Sequence, residues 1–131
     1  MRYLCASLVW LLVLLLQGCA VPKDRVEIIG KYILQQNDFI AKLQLLEDST
    51  YLQAVEFSVD HHHETFTGTW RYDPSTRDVV LDGSLLVDQN IIGSTKTRFE
   101  RHIGIVLLPV ERRFGRLTLG SDEGRQYLRQ N

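Results

Sequence analysis

Residues 65–72 read Thr-Phe-Thr-Gly-Thr-Trp-Arg-Tyr, an alternation with a period of two. Phe66, Gly68, Trp70 and Tyr72 fall on one face, and Thr65, Thr67, Thr69 and Arg71 on the other. A helix would scatter both sets around its axis, whereas a strand sends successive side chains to opposite faces. The segment therefore reads as a strand with one apolar and one polar face. Such a strand cannot stand alone, because its backbone groups and its apolar face both need partners.

The remaining chain supplies partners of the same kind. Strand-type runs occur at 31–36 (KYILQQ), 39–46 (FIAKLQLL), 51–59 (YLQAVEFSV), 79–87 (VVLDGSLLV), 95–108 (TKTRFERHIGIVLL), 114–119 (FGRLTL) and 126–129 (QYLR). Turn chemistry divides them: Asn37-Asp38, Glu47-Asp48-Ser49-Thr50, 60–64 (DHHHE), 73–78 (DPSTRD), 88–94 and 120–124. At 73–78, Pro74 presets a turn dihedral and Asp73 can accept from the backbone ahead of it. Tyr51, Val55, Phe57 and Val59 are expected to share one face, and Phe99, Ile103, Ile105 and Leu107 another. Pro109 is expected to limit the strand before it, and Gly83 to bend its own. About eight short strands at this spacing predict an all-β domain of antiparallel strands, a barrel, a barrel-like sheet or a sandwich. One stretch has a second reading. Ile29, Ile33, Gln36, Ile40 and Leu43 also fit helical spacing, although Gly30 and Asn37-Asp38 oppose a helix over 26–46.

The N-terminus carries a different signal. Arg2 precedes the run LCASLVWLLVLLL at 4–16. A spanning helix needs about 20 apolar residues, so a run this short behind a positive start reads as a signal-peptide core. A buried helix of the domain would show polar positions at helical spacing, and this run does not. It ends in Leu16-Gln17-Gly18-Cys19. These residues resemble the lipobox of bacterial lipoproteins: an aliphatic residue three before the cut, a small residue before it, then the modified cysteine. Gln17 departs from the small or branched residue the pattern prefers. The resemblance implies cleavage before Cys19, recognition through Leu16 and Gly18, and lipid attached to the Cys19 sulfur. Ala20 in place of Asp after the cysteine implies sorting to the outer membrane, facing the periplasm; in a Gram-positive cell the same lipid would hold the chain on the plasma membrane.

The expected organisation is a leader at 1–18, a lipidated cysteine with a short polar tether at 19–25, and one domain at 26–131. Cys5 leaves with the leader and Cys19 takes lipid, so the mature domain has no disulfide and folds on its core alone. Gly30-Lys31-Tyr32, Leu43 and Leu45 before Asp48 and Tyr51, and Gly68-Thr69-Trp70 resemble the strand rhythm of small lipocalin-like β-barrel lipoproteins over about half the chain. That resemblance implies an up-and-down barrel, with room for an apolar interior, and no reaction.

A formal charge of −1 gives no basic excess for nucleic acid. His61-His62-His63 sit between Asp60 and Glu64, but a strand lets only alternate imidazoles converge, and a tight metal site needs three or four ligands. They are expected to be a solvated turn without a metal. Phe57, Phe66, Trp70 and Tyr72 are expected to fill the barrel rather than line a ligand cavity. Arg112, Arg113 and Arg116 are candidates for lipid phosphates or an acidic partner, against the plainer reading of a solvated turn. No nucleophile elbow, phosphate loop or dinucleotide glycine loop occurs. The expectation is therefore no catalytic residue and no cofactor. The expected function is a binding or interaction module for an envelope protein, in an accessory, assembly or inhibitory role. The alternatives are a carrier of a small apolar ligand and an envelope hydrolase.

Overall fold

The computed structural model describes residues 20–87, 99–120 and 126–131, with the backbone alone for 85–87 and 99–103. Eight antiparallel strands form a closed up-and-down barrel: β1 Gly30–Gln35, β2 Phe39–Leu45, β3 Thr50–Phe57, β4 His63–Asp73, β5 Asp78–Val87, β6 Phe99–Arg113, β7 Arg116–Leu119 and β8 Tyr127–Arg129. The ring is closed where β8 meets β1 through Tyr32↔Arg129 and Ile33↔Leu128. The alternative helix over 26–46 is not present. A single 3₁₀ turn at Arg25–Glu27 precedes β1. Gly30 and the β1–β2 turn interrupt the helical pattern, and the alternation in Phe39–Leu45 (buried at Phe39, Ala41, Leu43 and Leu45) wins.

Burial follows the pleat. Tyr51, Gln53, Val55 and Phe57 point inward from β3, and Leu52 and Glu56 point outward. Together with Tyr32, Leu43, Leu45, Trp70, Leu81, Leu119 and others they make one core. Each large apolar side chain taken from water contributes roughly 1.5–3 kcal/mol. Local side-chain bonds set the turns. The Asp48 carboxylate accepts from the Thr50 N–H at 2.9 Å, Asp73 from the Ser75 N–H at 2.9 Å, and Asp60 from the His62 N–H at 3.0 Å.

Four expectations are corrected. Val59 does not join the inward face of β3; it lies in the turn after it, 85% exposed, because pairing with β4 ends at Glu56↔His63. His63 and Glu64 belong to β4 and not to the break between strands expected at 60–64. Pro109 does not end its strand, since β6 continues to Arg113. It stands at the margin of both ladders, opposite Asp78 and one residue past Val110↔Leu119, where a missing N–H breaks neither. On β6 the inward residues are Val106, Leu108 and Val110, while Ile105 and Leu107 face out. The cause is a register shift: Asp82 pairs with Ile105 but Ser84 pairs with His102, so β6 carries one extra residue there and its alternation changes phase.

In an up-and-down barrel the connections alternate between two ends. Residues 20–29 and the β2–β3, β4–β5 and β6–β7 turns lie at one end, called here the N-terminal end. The β1–β2 turn and the histidine-bearing β3–β4 turn lie at the other.

Candidate functional site

Residues 20–29, expected as a tether and the start of the domain, are fastened across the N-terminal end of the barrel. Ile28 is fully buried and closes that end, and its carbonyl accepts from the Tyr32 hydroxyl at 2.6 Å. The Arg129 guanidinium donates to the Glu27 carbonyl and, at 3.0 Å, to that of Ile29. The Arg25 guanidinium lies 4.8 Å from the centre of the Trp70 ring and donates to the Glu47 carbonyl at 2.6 Å. Cation and ring attract through the ring's quadrupole, and the hydrogen bond fixes the geometry. The Tyr72 hydroxyl donates to the Pro22 carbonyl at 2.8 Å. Arg112 donates through Nε to the Ala20 carbonyl at 2.9 Å and pairs with Glu27 at 3.4 Å. The chain therefore enters the described structure beside the β6–β7 hairpin.

That hairpin is a two-residue turn. Phe114 (φ 49°) and Gly115 (φ 79°) are both left-handed, as a type I′ turn requires. Gly suits such a position, whereas a bulky aromatic pays a steric cost there. The Phe114 side chain is fully exposed. Arg113 and Arg116 flank it, and Arg113 pairs with Glu111 at 3.0 Å. Val21, Thr76, Arg77, Pro109 and Arg112 border an open depression of about 480 Å³ next to it.

The outer wall of β4–β6 carries a second feature. Ile105 (65% exposed) and Leu107 (57%) stand in a row on β6, with Pro109 continuing it. Val80 lies opposite Leu107 on the same face. A depression of about 300 Å³ runs beside Ile105, bordered by Thr69, Arg71, Val80 and Asp82. Isoleucine and leucine side by side on the outside of a barrel contribute nothing to its core.

The aromatics singled out from the sequence lie in or against the core. Phe57 and Trp70 belong to the buried core, and Phe66 and Tyr72 pack against it. The Trp70 indole N–H donates to the Leu46 carbonyl at 2.9 Å. A polar thread crosses this interior: Ser84 donates to Gln53 Oε1 at 3.1 Å, and Gln53 Nε2 donates to the Tyr127 hydroxyl at 3.1 Å. Burial raises the phenol pKa of Tyr127, and the bond from Gln53 partly offsets the rise.

The three histidines do not gather. His61 Nδ1 lies 3.4 Å from Glu56, His62 Nε2 lies 3.7 Å from Glu64, and all three imidazoles are exposed. Among the described residues no group of three or more His, Cys, Asp or Glu side chains is placed to hold a metal ion. Cys19, Leu16 and Gly18 lie outside the described residues. The contacts made by Arg25, Glu27, Tyr72 and Arg129 were not singled out from sequence, since their partners lie between 22 and 102 positions away. The Ile105–Leu107 row was visible as an alternation, but the extra residue in β6 hid which way it faced.

Comparison with known proteins found no matching family model, no similar curated protein and no similar solved structure.

Proposed function

We propose that this chain is a lipid-anchored envelope lipoprotein, cut before Cys19, whose barrel is a non-catalytic binding module for another envelope protein. The observation that carries the binding reading is the exposed row Ile105–Leu107 beside the depression at Thr69, Arg71 and Asp82. Apolar side chains flanked by an arginine and an aspartate offer a partner both buried area and polar registration. Burial of Phe57 and Trp70 in the core supports filling of the barrel over carriage of a ligand. The anchoring reading rests on Leu16, Gly18 and Cys19 behind a short apolar run, and on entry of the chain at one end of the barrel. The lipid would face the periplasmic leaflet of an outer membrane, as Ala20 after the cysteine implies.

Two experiments test these statements separately. Labelled palmitate should enter the wild-type chain and not Cys19→Ser, and equal labelling of both would overturn the anchor. A photo-crosslinking residue placed at Leu107 should capture one discrete partner in cells. The same probe at Lys42, exposed on β2, should not. Ile105→Asp should abolish the adduct. An identical adduct pattern from both positions, or an adduct of this chain with itself, would overturn the reading.

A further inference from the structure

We propose that the N-terminal end of the barrel is a membrane-contact surface, with Phe114 seated among the headgroups of an anionic phospholipid bilayer and Arg77 and Arg116 against its phosphates. The inference rests on the anchored-lipoprotein reading and says how the barrel stands once anchored.

The first argument is where the chain enters. Arg112 holds the Ala20 carbonyl at 2.9 Å. The Cys19 Cα can be only about 3.8 Å from that of Ala20. Lipid on Cys19 would therefore emerge beside the β6–β7 hairpin, with no free tether to let the barrel turn away. Tyr72 on Pro22 and Arg25 on Trp70 hold the next residues down as well.

The second argument is what stands at that place. Phe114 is fully exposed at the tip of the hairpin, in a backbone conformation that asparagine or glycine would adopt more easily. It packs nothing in the barrel. An aromatic flanked by arginines suits the bilayer interface, where the ring enters the headgroup layer and the guanidinium groups meet phosphates. Arg77 and Arg116 are exposed and make no ion pair among the described residues. Arg113 already pairs with Glu111, and Arg112 with Glu27, so Arg77 and Arg116 carry the charge term beside the hairpin.

The third argument sets the tilt. Around the ring of eight strands, the β2–β3 turn lies opposite the β6–β7 turn. It carries Glu47 and Asp48, both exposed. The Asp48 carboxyl is held below its ordinary pKa by hydrogen bonds from Thr50, so it stays ionised. Repulsion from anionic lipid lifts that edge while the arginine edge is drawn down. The barrel is thus expected to lean on the hairpin.

The test uses the lipid-modified chain, purified from bacterial membranes and reconstituted into vesicles of phosphatidylethanolamine with phosphatidylglycerol. A spin label is placed at Phe114→Cys and, in a second sample, at Val59→Cys at the opposite end. Collision with oxygen, enriched in lipid, and with a water-soluble nickel chelate reports the surroundings of each. The label at position 114 should be shielded from nickel several-fold relative to position 59. Arg77→Glu with Arg116→Glu should remove most of that shielding while the circular dichroism stays that of the parent. Phosphatidylcholine vesicles should weaken it. Equal nickel access at both positions in anionic vesicles, or shielding unchanged by the double charge reversal, would overturn the proposal. Mass spectrometry of the same preparation reads the lipid on Cys19 independently. A lipidated chain with an exposed label defeats the docking alone. An unlipidated chain with a shielded label defeats the anchor alone.

Discussion

The Arg112 guanidinium donates to the Ala20 carbonyl at 2.9 Å and meets the Glu27 carboxylate at 3.4 Å, so one side chain of β6 holds both ends of a loop 92 and 85 positions away in sequence. Arg112→Ala should release that loop. Hydrogen bonds to a charged group are worth roughly 1.5–3 kcal/mol when buried, and partial exposure of this one lowers the expectation to about 1 kcal/mol. Hydrogen exchange should show faster exchange of the backbone amides between Val21 and Glu27, with those of β2 and β3 unchanged. Uniform acceleration across the barrel would mean that the loop is part of the global folding unit.

Trp70 joins three layers of the structure. Its ring is buried, its indole N–H is satisfied by the Leu46 carbonyl, and its face carries the Arg25 guanidinium. Trp70→Ala should cost about 3–5 kcal/mol in urea unfolding, as removal of a large core aromatic does. Arg25→Ala should cost about 1 kcal/mol, the worth of a partly exposed cation–π contact. A cost below about 1 kcal/mol for Trp70→Ala would show that the ring is not core.

What could be read from sequence, and what could not, follows from range. Strands 39–45 and 50–57 were legible because the alternation and the turn chemistry of Asp48 agree with each other locally. The number and spacing of such units left a barrel or a sandwich, and the lipocalin-like strand rhythm pointed to the barrel that closes here. The face of Ile105 and Leu107 was not legible, because a single extra residue opposite Gly83 inverts the phase and leaves the composition unchanged. Nor was the docking of residues 20–29, since Arg129, Arg112 and Tyr72 reach them only after the barrel has closed.

Gly68 and Gly115 should respond differently to alanine. Gly68 pairs directly with Tyr51, whose ring lies over it. A Cβ at Gly68 would stand 2.7 Å from the Asp82 carbonyl oxygen and 2.7 Å from Tyr51 Cε1. Neither neighbour yields easily, because Asp82 is paired backbone and the Tyr51 hydroxyl is bonded to the Gly83 carbonyl. Gly68→Ala should therefore cost about 3 kcal/mol through overpacking. At Gly115 a Cβ would meet nothing within 4 Å, and only the left-handed backbone (φ 79°) opposes it. That substitution should cost about 1 kcal/mol. Chemical denaturation of the two variants gives the order, and a reversed order would place the close approach elsewhere.

The tyrosines make the barrel sensitive to alkali. Of the five in the sequence, Tyr3 belongs to the expected leader, which leaves Tyr32, Tyr51, Tyr72 and Tyr127. Burial pushes the Tyr32 phenol up to about 12, against a smaller opposing pull from Arg129. Burial raises Tyr51 as well, with Asp82 adding to the rise, and it is the main cause of the upward shifts of Tyr72 and Tyr127. In the unfolded chain a tyrosine ionises near pH 10 or so, about its reference value. As pH climbs from there through the folded values, the unfolded chain gives up phenolic protons that the barrel retains. The unfolded state then binds fewer protons, so stability falls with rising pH. The contribution is complete below the unfolded value and is lost as pH passes the folded ones. Tyrosinate absorbance should therefore stay flat beyond the ordinary tyrosine range and then rise together with loss of the β-type circular dichroism. A smooth titration centred on the ordinary value, with the dichroism unchanged, would show that these phenols reach water in the folded barrel.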